Sequence, residues 1–414
     1  MKKLTFAGLA VAALMAACQN EDTGNRTPNE TNEFTPIELT EAETRMAKQT
    51  SDFAFRFFRT ADAVLTSLKG SEQSIYLSPL SASYALSMAT AGAEGQTLQE
   101  LTEALGFTGF SVDEINAYNQ KLLTELAGQD NTTTLKTANS FWMFDDFRAL
   151  DTYQAMLQES YDAEVKTQPR ETAKDAINDW CAEKTNGLIP KILKNTPDGV
   201  AMLINALYFK GVWETKFNKD NTRQEEFRCE DGSTLTVDMM AQQEGFRYMK
   251  DERMAAVKLP YGNRAFNLYV LLPNEGMTTS QLIAGLDPAS WAEMQNNMRM
   301  KDVDLKLPRL KVESDANSLV ETLKAMGVKK AFSRIEAEFG KMSDKKLAIS
   351  SVQQTVSVTI NEEGTEAAAV TDIGFISVAN PLEPAVFHAN RPYVFVLEEE
   401  STGTILFVGK VQKP

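Results

Sequence analysis

The chain of 414 residues carries 57 acidic against 42 basic side chains, a net charge of −15, and is 43% hydrophobic. That acidic surplus argues against a nucleic-acid partner, whose phosphates call for clustered Lys and Arg, and the apolar fraction excludes wholesale disorder. Three cysteines are too few for a disulfide framework, and the single histidine, His388, excludes a multi-histidine metal centre, so neither a cofactor nor a catalytic apparatus is expected.

Residues 1–17 read as a leader: Lys2 and Lys3, an apolar run from Leu4 to Leu14 too short to span a bilayer, then small side chains. Leu14-Met15-Ala16-Ala17-Cys18 resembles a bacterial lipobox, in which Cys18 is acylated and becomes the first mature residue; an ordinary secretory leader with a chance cysteine is the alternative. Residues 18–40, rich in Asn, Thr, Glu and Asp, read as a flexible polar tether. Gln19, where an aspartate would resemble an inner-membrane retention signal, points to the outer membrane. Gln19-Asn20-Glu21-Asp22 resembles an acidic surface-export signal as much as a plain linker, which leaves a periplasmic or an external face open. Membrane contact is then through the lipid alone.

From 41 to 414 there is no linker, repeat or low-complexity tract, and the span reads as one domain. Phe53, Phe57, Phe58 and Leu65 recur at helical spacing within Arg45–Leu68, and Leu77-Ser78-Pro79 opens a second helix over Ser81–Ala91. Gln96–Leu105 and Val112–Leu126 continue the helical pattern. Strands follow at Thr134–Met143 and Gly199–Phe209, then as short alternating runs from Glu226 to Leu272, with Tyr261-Gly262-Asn263 as a hairpin turn between Val257–Leu259 and Phe266–Leu272. Asp302–Lys311 and Val352–Ile360 alternate again, and Tyr393–Leu397 with Ile405–Val411 form a buried terminal pair. Helices followed by strands, with few βαβ units, predict an α+β fold of large, mostly antiparallel sheets. Cys181 and Cys229 read as free buried thiols, although export would permit a bridge.

After the strand Val356–Ile360 the pattern breaks into a long run of small residues, Asn361 to Thr371, which continues through Asp372-Ile373-Gly374-Phe375-Ile376-Ser377-Val378-Ala379-Asn380-Pro381. A loop of that length in a compact domain is often functional. Here the sequence resembles the serpins. Glu362-Glu363-Gly364-Thr365-Glu366-Ala367-Ala368-Ala369 is similar to their reactive-loop hinge, and Phe387-His388-Ala389-Asn390-Arg391-Pro392-Tyr393 to the signature after the loop. Leu77-Ser78-Pro79-Leu80-Ser81, Ala138-Asn139-Ser140, Thr185-Asn186-Gly187-Leu188-Ile189 and Asn205-Ala206-Leu207-Tyr208-Phe209-Lys210-Gly211-Val212-Trp213 match in order, from about Thr44 to Lys413.

The resemblance implies eight or nine helices, a reactive loop over about 362–386, and a monomer that inhibits serine proteases as a suicide substrate. A non-inhibitory serpin or a surface-anchored binding lipoprotein is the alternative. It also implies sites. Arg309, Glu362 and Trp213 match the breach at the top of the main sheet; Ser78, Ser81 and Asn205 match the shutter, and Gln354 falls where the usual shutter histidine stands. Glu362, Glu363, Gly364, Thr365, Ala367 and Ala369 match the hinge. Counting from Gly364 puts the reactive bond between Val378 and Ala379, with Phe375, Ile376 and Ser377 as neighbours if the register slips. A small aliphatic Val378 suits elastase-like proteases; subtilisin-like, chymotrypsin-like and cysteine proteases are further candidates, while the lack of Lys or Arg between Thr365 and Asn390 disfavours trypsin-like ones. Independently of any resemblance, Thr365, Ala367, Ala369 and Thr371 are small and uncharged, as an inserting strand needs on its buried face. The lipobox reading predicts that Cys18→Ser moves the protein from the membrane to the soluble fraction; unchanged fractionation would count against it.

Overall fold

The computed structural model describes residues 32–187, 189–313, 317–354, 356–365 and 383–414. Cys18, Ala367, Ala369, Val378 and Ala379 lie outside the described residues.

The first part of the chain is helical: α1 (Glu41–Lys69), a short β1 (Ile75–Leu77), then α2 (Pro79–Ala91), α3 (Gly95–Leu105) and α4 (Val112–Leu126). Helix α1 opens with a capping box between Thr40 and Glu43, and α4 with one between Ser111 and Glu114, each satisfying amide donors that a helix start leaves free. Helix α2 starts on an N-cap serine, Ser78, followed by Pro79, and is buried on nearly every side. Next come β2 (Thr134–Phe144), α5 (Asp151–Tyr161), β3 (Ala163–Gln168), α6 (Arg170–Lys184) and β4 (Ala201–Val212).

The second half is mostly strands: β5 (Arg223–Arg228), β6 (Thr234–Lys250), β7 (Met254–Pro260) and β8 (Phe266–Pro273). Helices α7 (Thr279–Ala284) and α8 (Pro288–Asn297) separate these from β9 (Arg299–Pro308), β10 (Leu310–Glu313) and β11 (Asn317–Ser318). The chain continues as α9 (Val320–Ala325), β12 (Gln353–Gln354), β13 (Ser357–Ile360) and β14 (Gly364–Thr365). It ends in β15 (Ala385–His388), β16 (Tyr393–Glu399) and β17 (Ile405–Val411).

Nine strands form one sheet, ordered β1-β17-β16-β8-β7-β6-β9-β15 with β5 alongside β6. A four-stranded sheet runs β14-β4-β2-β3, and two short ladders, β10-β13 and β11-β12, lie apart from it. Only β2-β3 and β9-β15 are parallel among the described pairs. The result is an α+β fold with nine α-helices among the described residues. Two of the expected elements change shape. The alternating stretch Asp302–Lys311 divides at Arg309, so that β9 serves the large sheet and β10 a different one. The polar run placed in the tether also ends earlier: Ile37 is buried, its amide donates to Ser401 Oγ at 3.0 Å, and Phe34 and Leu39 pack on the core. Large apolar side chains at the end of that run hold it to the body of the domain.

The four-stranded sheet is covered on both faces, and alternation along its strands decides which side chains go where. Phe141 and Met143 of β2 and Leu207 and Phe209 of β4 enter the main core, while Trp142, Phe144, Ile204 and Ala206 pack with Ile177, Trp180 and Cys181 of α6. Cys181 and Cys229 are both buried free thiols, and burial pushes the Cys181 thiol up to about 12.

Helix α8 is fastened to the large sheet by a buried carboxyl. Glu398 accepts from Trp291 Nε1 and from Gln295 Nε2, and it is 4% exposed. Burial, opposed by those two donors and reinforced by Glu400, raises its value from 4.5 to about 7. A carboxyl raised on folding binds more protons folded than unfolded across that window, so stability falls as pH rises from about 4.5 to about 7, by up to ~1.4 kcal/mol per pH unit from this group. Glu398→Gln therefore flattens the fall of the thermal midpoint across this window. An unchanged slope would show that Glu398 does not titrate there.

Candidate functional site

The end of β13 turns back on itself in two residues. Asn361 N donates to Gly364 O (2.9 Å) and Gly364 N to Asn361 O (3.2 Å), so Glu362 and Glu363 form the tip of a tight hairpin whose return arm is β14. The turn is held from the side by the segment after β4. Trp213 Nε1 donates to Asn361 O (2.8 Å), Phe217 N to Glu362 O (3.0 Å) and Trp213 N to Glu363 O (3.0 Å). Three successive carbonyls are thus satisfied by one short stretch of chain, which fixes the turn without burying unpaired backbone. Gly364 sits at φ +138°, and a Cβ there would lie 2.1 Å from Gly211 O, so no other residue fits.

The two turn carboxylates point opposite ways. Glu362 is 2% exposed and meets Arg309 across the sheet: Nη2 to Oε1 is 2.7 Å and Nε to the two oxygens 2.9 and 3.1 Å. The Thr222 hydroxyl donates to Oε1 at 2.5 Å. Burial pushes the Glu362 carboxyl up, but the Arg309 and Thr222 hydrogen bonds outweigh it and hold it below the usual range. Arg309 can reach because it occupies the break between β9 and β10, where its amide donates to Asp238 O (2.9 Å) and its Nη1 pairs with Asp238 Oδ2 (3.1 Å). Glu363 turns outward to Lys216 (3.1 Å) and Lys219 (3.0 Å), and those partners, Lys219 first, lower its carboxyl against a smaller effect of burial.

From the turn, Gly364 and Thr365 pair antiparallel with Val212 and Gly211 of β4. Below that point one edge of β4 stays paired with β2 throughout, from Lys210 to Ala201, and the ladder described on its other edge is the one to β14. Facing that other edge is the run Leu347–Gln354, and between them lies a cavity of about 140 Å³ floored by Ala82, Leu86 and Ala89 of α2 and walled by Leu203, Asn205 and Ile349. A slot therefore runs down this side of β4, with Gly364 and Thr365 seated at its top.

At the lower end of the slot Gln354 Oε1 accepts from Ser78 N (2.9 Å) while its Nε2 donates to Ser78 O (2.8 Å). Ser78 Oγ donates to Leu406 O (2.7 Å) and accepts from Ser81 N (3.2 Å). Ser78, Ser81 and Gln354 are therefore brought together; Asn205, assigned to the same cluster, is not. The register Asn139↔Asn205 lets its amide donate to Asn139 Oδ1 (2.7 Å) on β2, and it lines the same cavity as Ser81 and Gln354 without a hydrogen bond to either among the described ones. His388 faces Asp304, with 2.9 Å between Nε2 and Oδ2. Sequence reading missed Thr222, Phe217, Asp238 and Tyr261, whose ring stacks on Trp213 at 4.3 Å. Only the hairpin turn at Tyr261 gave a local signal.

The Arg309–Glu362 pair is asymmetric: Arg309 is 42% exposed and keeps Asp238, whereas Glu362 is 2% exposed and Arg309 is the cation that pairs with it among the described residues. Arg309→Met orphans a buried carboxylate and should cost about 3–5 kcal/mol; Glu362→Gln leaves a half-solvated guanidinium and should cost about 1 kcal/mol. Thermal unfolding of the two variants checks the order, and the reverse order would sink the assignment of which partner is desolvated.

Comparison with known proteins agrees with this geometry. Residues 48–414 match the family described as "Serpin (serine protease inhibitor)". Iripin-2 of Ixodes ricinus is 31% identical over 383 residues, covering 90% of this chain and 94% of that protein. The leukocyte elastase inhibitor of Equus caballus is 32% identical over 356 residues, covering 82% and 93%. Among solved structures, the thermophilic serpin tengpin in its native state superposes with a TM-score of 0.81 at 28% identity, covering 92% of this chain and 97% of that one. With a family match over nearly all of the folded chain, and relatives that share its length, the chain belongs to the serpins.

Proposed function

We propose that this serpin is inhibitory and traps serine proteases by cleavage of its reactive loop followed by strand insertion into the slot beside β4. The protease serine oxygen bonds to the Val378 carbonyl carbon, the bond to Ala379 breaks, and the proton taken from the serine leaves on the new Ala379 amine. The acyl-enzyme is then carried away before water can hydrolyse it. A strand of fourteen residues at ~3.3 Å each moves it roughly 46 Å.

The observation that carries this reading is β14: two loop residues already laddered to β4 at the top of the cavity that lies between β4 and the run Leu347–Gln354. Continuing that register would set Ala367 against Phe209 and Ala369 against Leu207, the two β4 side chains that enter the main core. Small side chains suit that face, and Thr365 is itself buried there. Gln354 supports a fastening that does not respond to pH, because an amide donates and accepts without titrating. A Val378 cut site favours elastase-like targets, with subtilisin-like, chymotrypsin-like and cysteine proteases behind them. With Cys18 acylated, the inhibitor would sit at the outer membrane, facing the periplasm or the exterior.

A denaturing gel after incubation with elastase tests the reading: a covalent band at the summed mass is expected, and cleaved chain alone would overturn it. Thr365→Arg would force a cation against the apolar lining of Phe209, Leu268 and Val358 and should shift the products at least tenfold from complex to cleaved chain. Val378→Arg should move inhibition toward trypsin-like proteases, whose acidic pocket rewards a cation, and sequencing of the elastase-cut wild type should find a new amino terminus at Ala379.

A further inference from the structure

Tyr261 ends the hairpin arm β7 and is 1% exposed. Its ring lies between Trp213, stacked at 4.3 Å, and the edge of Phe209 at 5.2 Å. Its hydroxyl has one partner among the described residues, Thr365 Oγ at 3.0 Å. The surroundings of that contact are apolar: Leu268, Val358, Ile360 and Phe395 line a void of about 10 Å³ beside it. Such a void is at the lower limit for one water and offers it no polar wall beyond the two hydroxyls. If Thr365 leaves the sheet, the tyrosine hydroxyl loses its bond in a place where solvent cannot replace it.

The residue is also held from behind. Gly262 N donates to Val212 O (2.8 Å) on β4, and Asn263 Nδ2 to Gln129 O (2.7 Å). Gly262 lies at φ +40°, and a Cβ on it would stand 2.0 Å from Asp130 Oδ2, so the hairpin tip is clamped against the loop before β2. Tyr261 is therefore pre-set and does not have to be ordered when the loop arrives.

We propose that Tyr261 is a positioning residue for loop insertion: its hydroxyl pins Thr365, the first buried side chain of the incoming strand, and so fixes both the starting point and the register of the strand that follows. This rests on the inhibitory reading above. With the pin in place the strand grows from a seated end and need not nucleate; without it, insertion starts later and water reaches the acyl bond more often.

A double-mutant cycle tests it. Tyr261→Phe keeps the stacking ring and leaves the Thr365 hydroxyl alone; Thr365→Val keeps the volume and leaves the tyrosine hydroxyl alone; the double variant removes both polar atoms. Each single change should raise the ratio of cleaved chain to covalent complex roughly two- to tenfold and lower the thermal midpoint of the intact protein, and the double variant should return the midpoint toward wild type while the ratio stays raised, since the pin is still absent. Single variants with wild-type ratios and midpoints, or a double variant whose losses simply add, would overturn the pin. A wild type that forms no complex with any protease would overturn the inhibitory reading instead, and the midpoint cycle on the intact protein would still decide whether the pin exists.

Discussion

Backbone amides and carbonyls on a strand edge must find partners, and the edge of β4 to which β14 ladders, with the cavity beside it, is where that requirement shapes this molecule most. Much else in the fold is arranged around that edge. Helix α2 floors it, α6 covers the opposite face of the sheet, and the turn at Glu362-Glu363 delivers the chain to its upper end already in register. The run Leu347–Gln354 lies across the cavity from that edge, and on the proposed mechanism the cleaved loop would enter between the two.

The charged groups at the top of the slot follow from the same requirement. A two-residue turn cannot bury a carboxylate without a counter-charge, and the nearest cation lies across the sheet at Arg309. That cation is available because the alternating pattern of Asp302–Lys311 is interrupted there, which frees the backbone to leave one sheet and enter another. At the lower end the fastening is neutral: one amide side chain, Gln354, closes a two-way clasp on the backbone of Ser78. Charge thus governs one end of the slot and a hydrogen-bond clasp the other.

How much of this was legible in the sequence depended on range. Helix α1 announces itself through the helical spacing of Phe53, Phe57, Phe58 and Leu65, and the β7–β8 hairpin through its turn residues. The single long strand β6 reads as several short runs because its neighbours change along its length, β5 at its start, β9 through its middle and β7 at its end. Tyr261 and Thr365 are separated by 104 residues, and no periodicity marks a hydroxyl whose partner comes from so far away. Asn205 was placed with Ser78 by its position in a motif, yet strand register decided its partner. The tether was misjudged at its end for a simpler reason: composition averaged over the run concealed Phe34, Ile37 and Leu39.

That docked end has a consequence for where the molecule faces. Asn32 Oδ1 accepts from Asn131 N at 2.9 Å, and the neighbouring Asp130 clamps the hairpin tip that carries Tyr261. The amino-terminal strap therefore leaves the body at the same end as the hinge. From Cys18 to Asn32 a fully extended chain would reach roughly 50 Å, which on the proposed anchoring is the limit of the domain's range. If the proposed acylation of Cys18 holds, the molecule would hang by the end that carries the hinge, and the proteases it meets would be those working within one domain's width of the membrane.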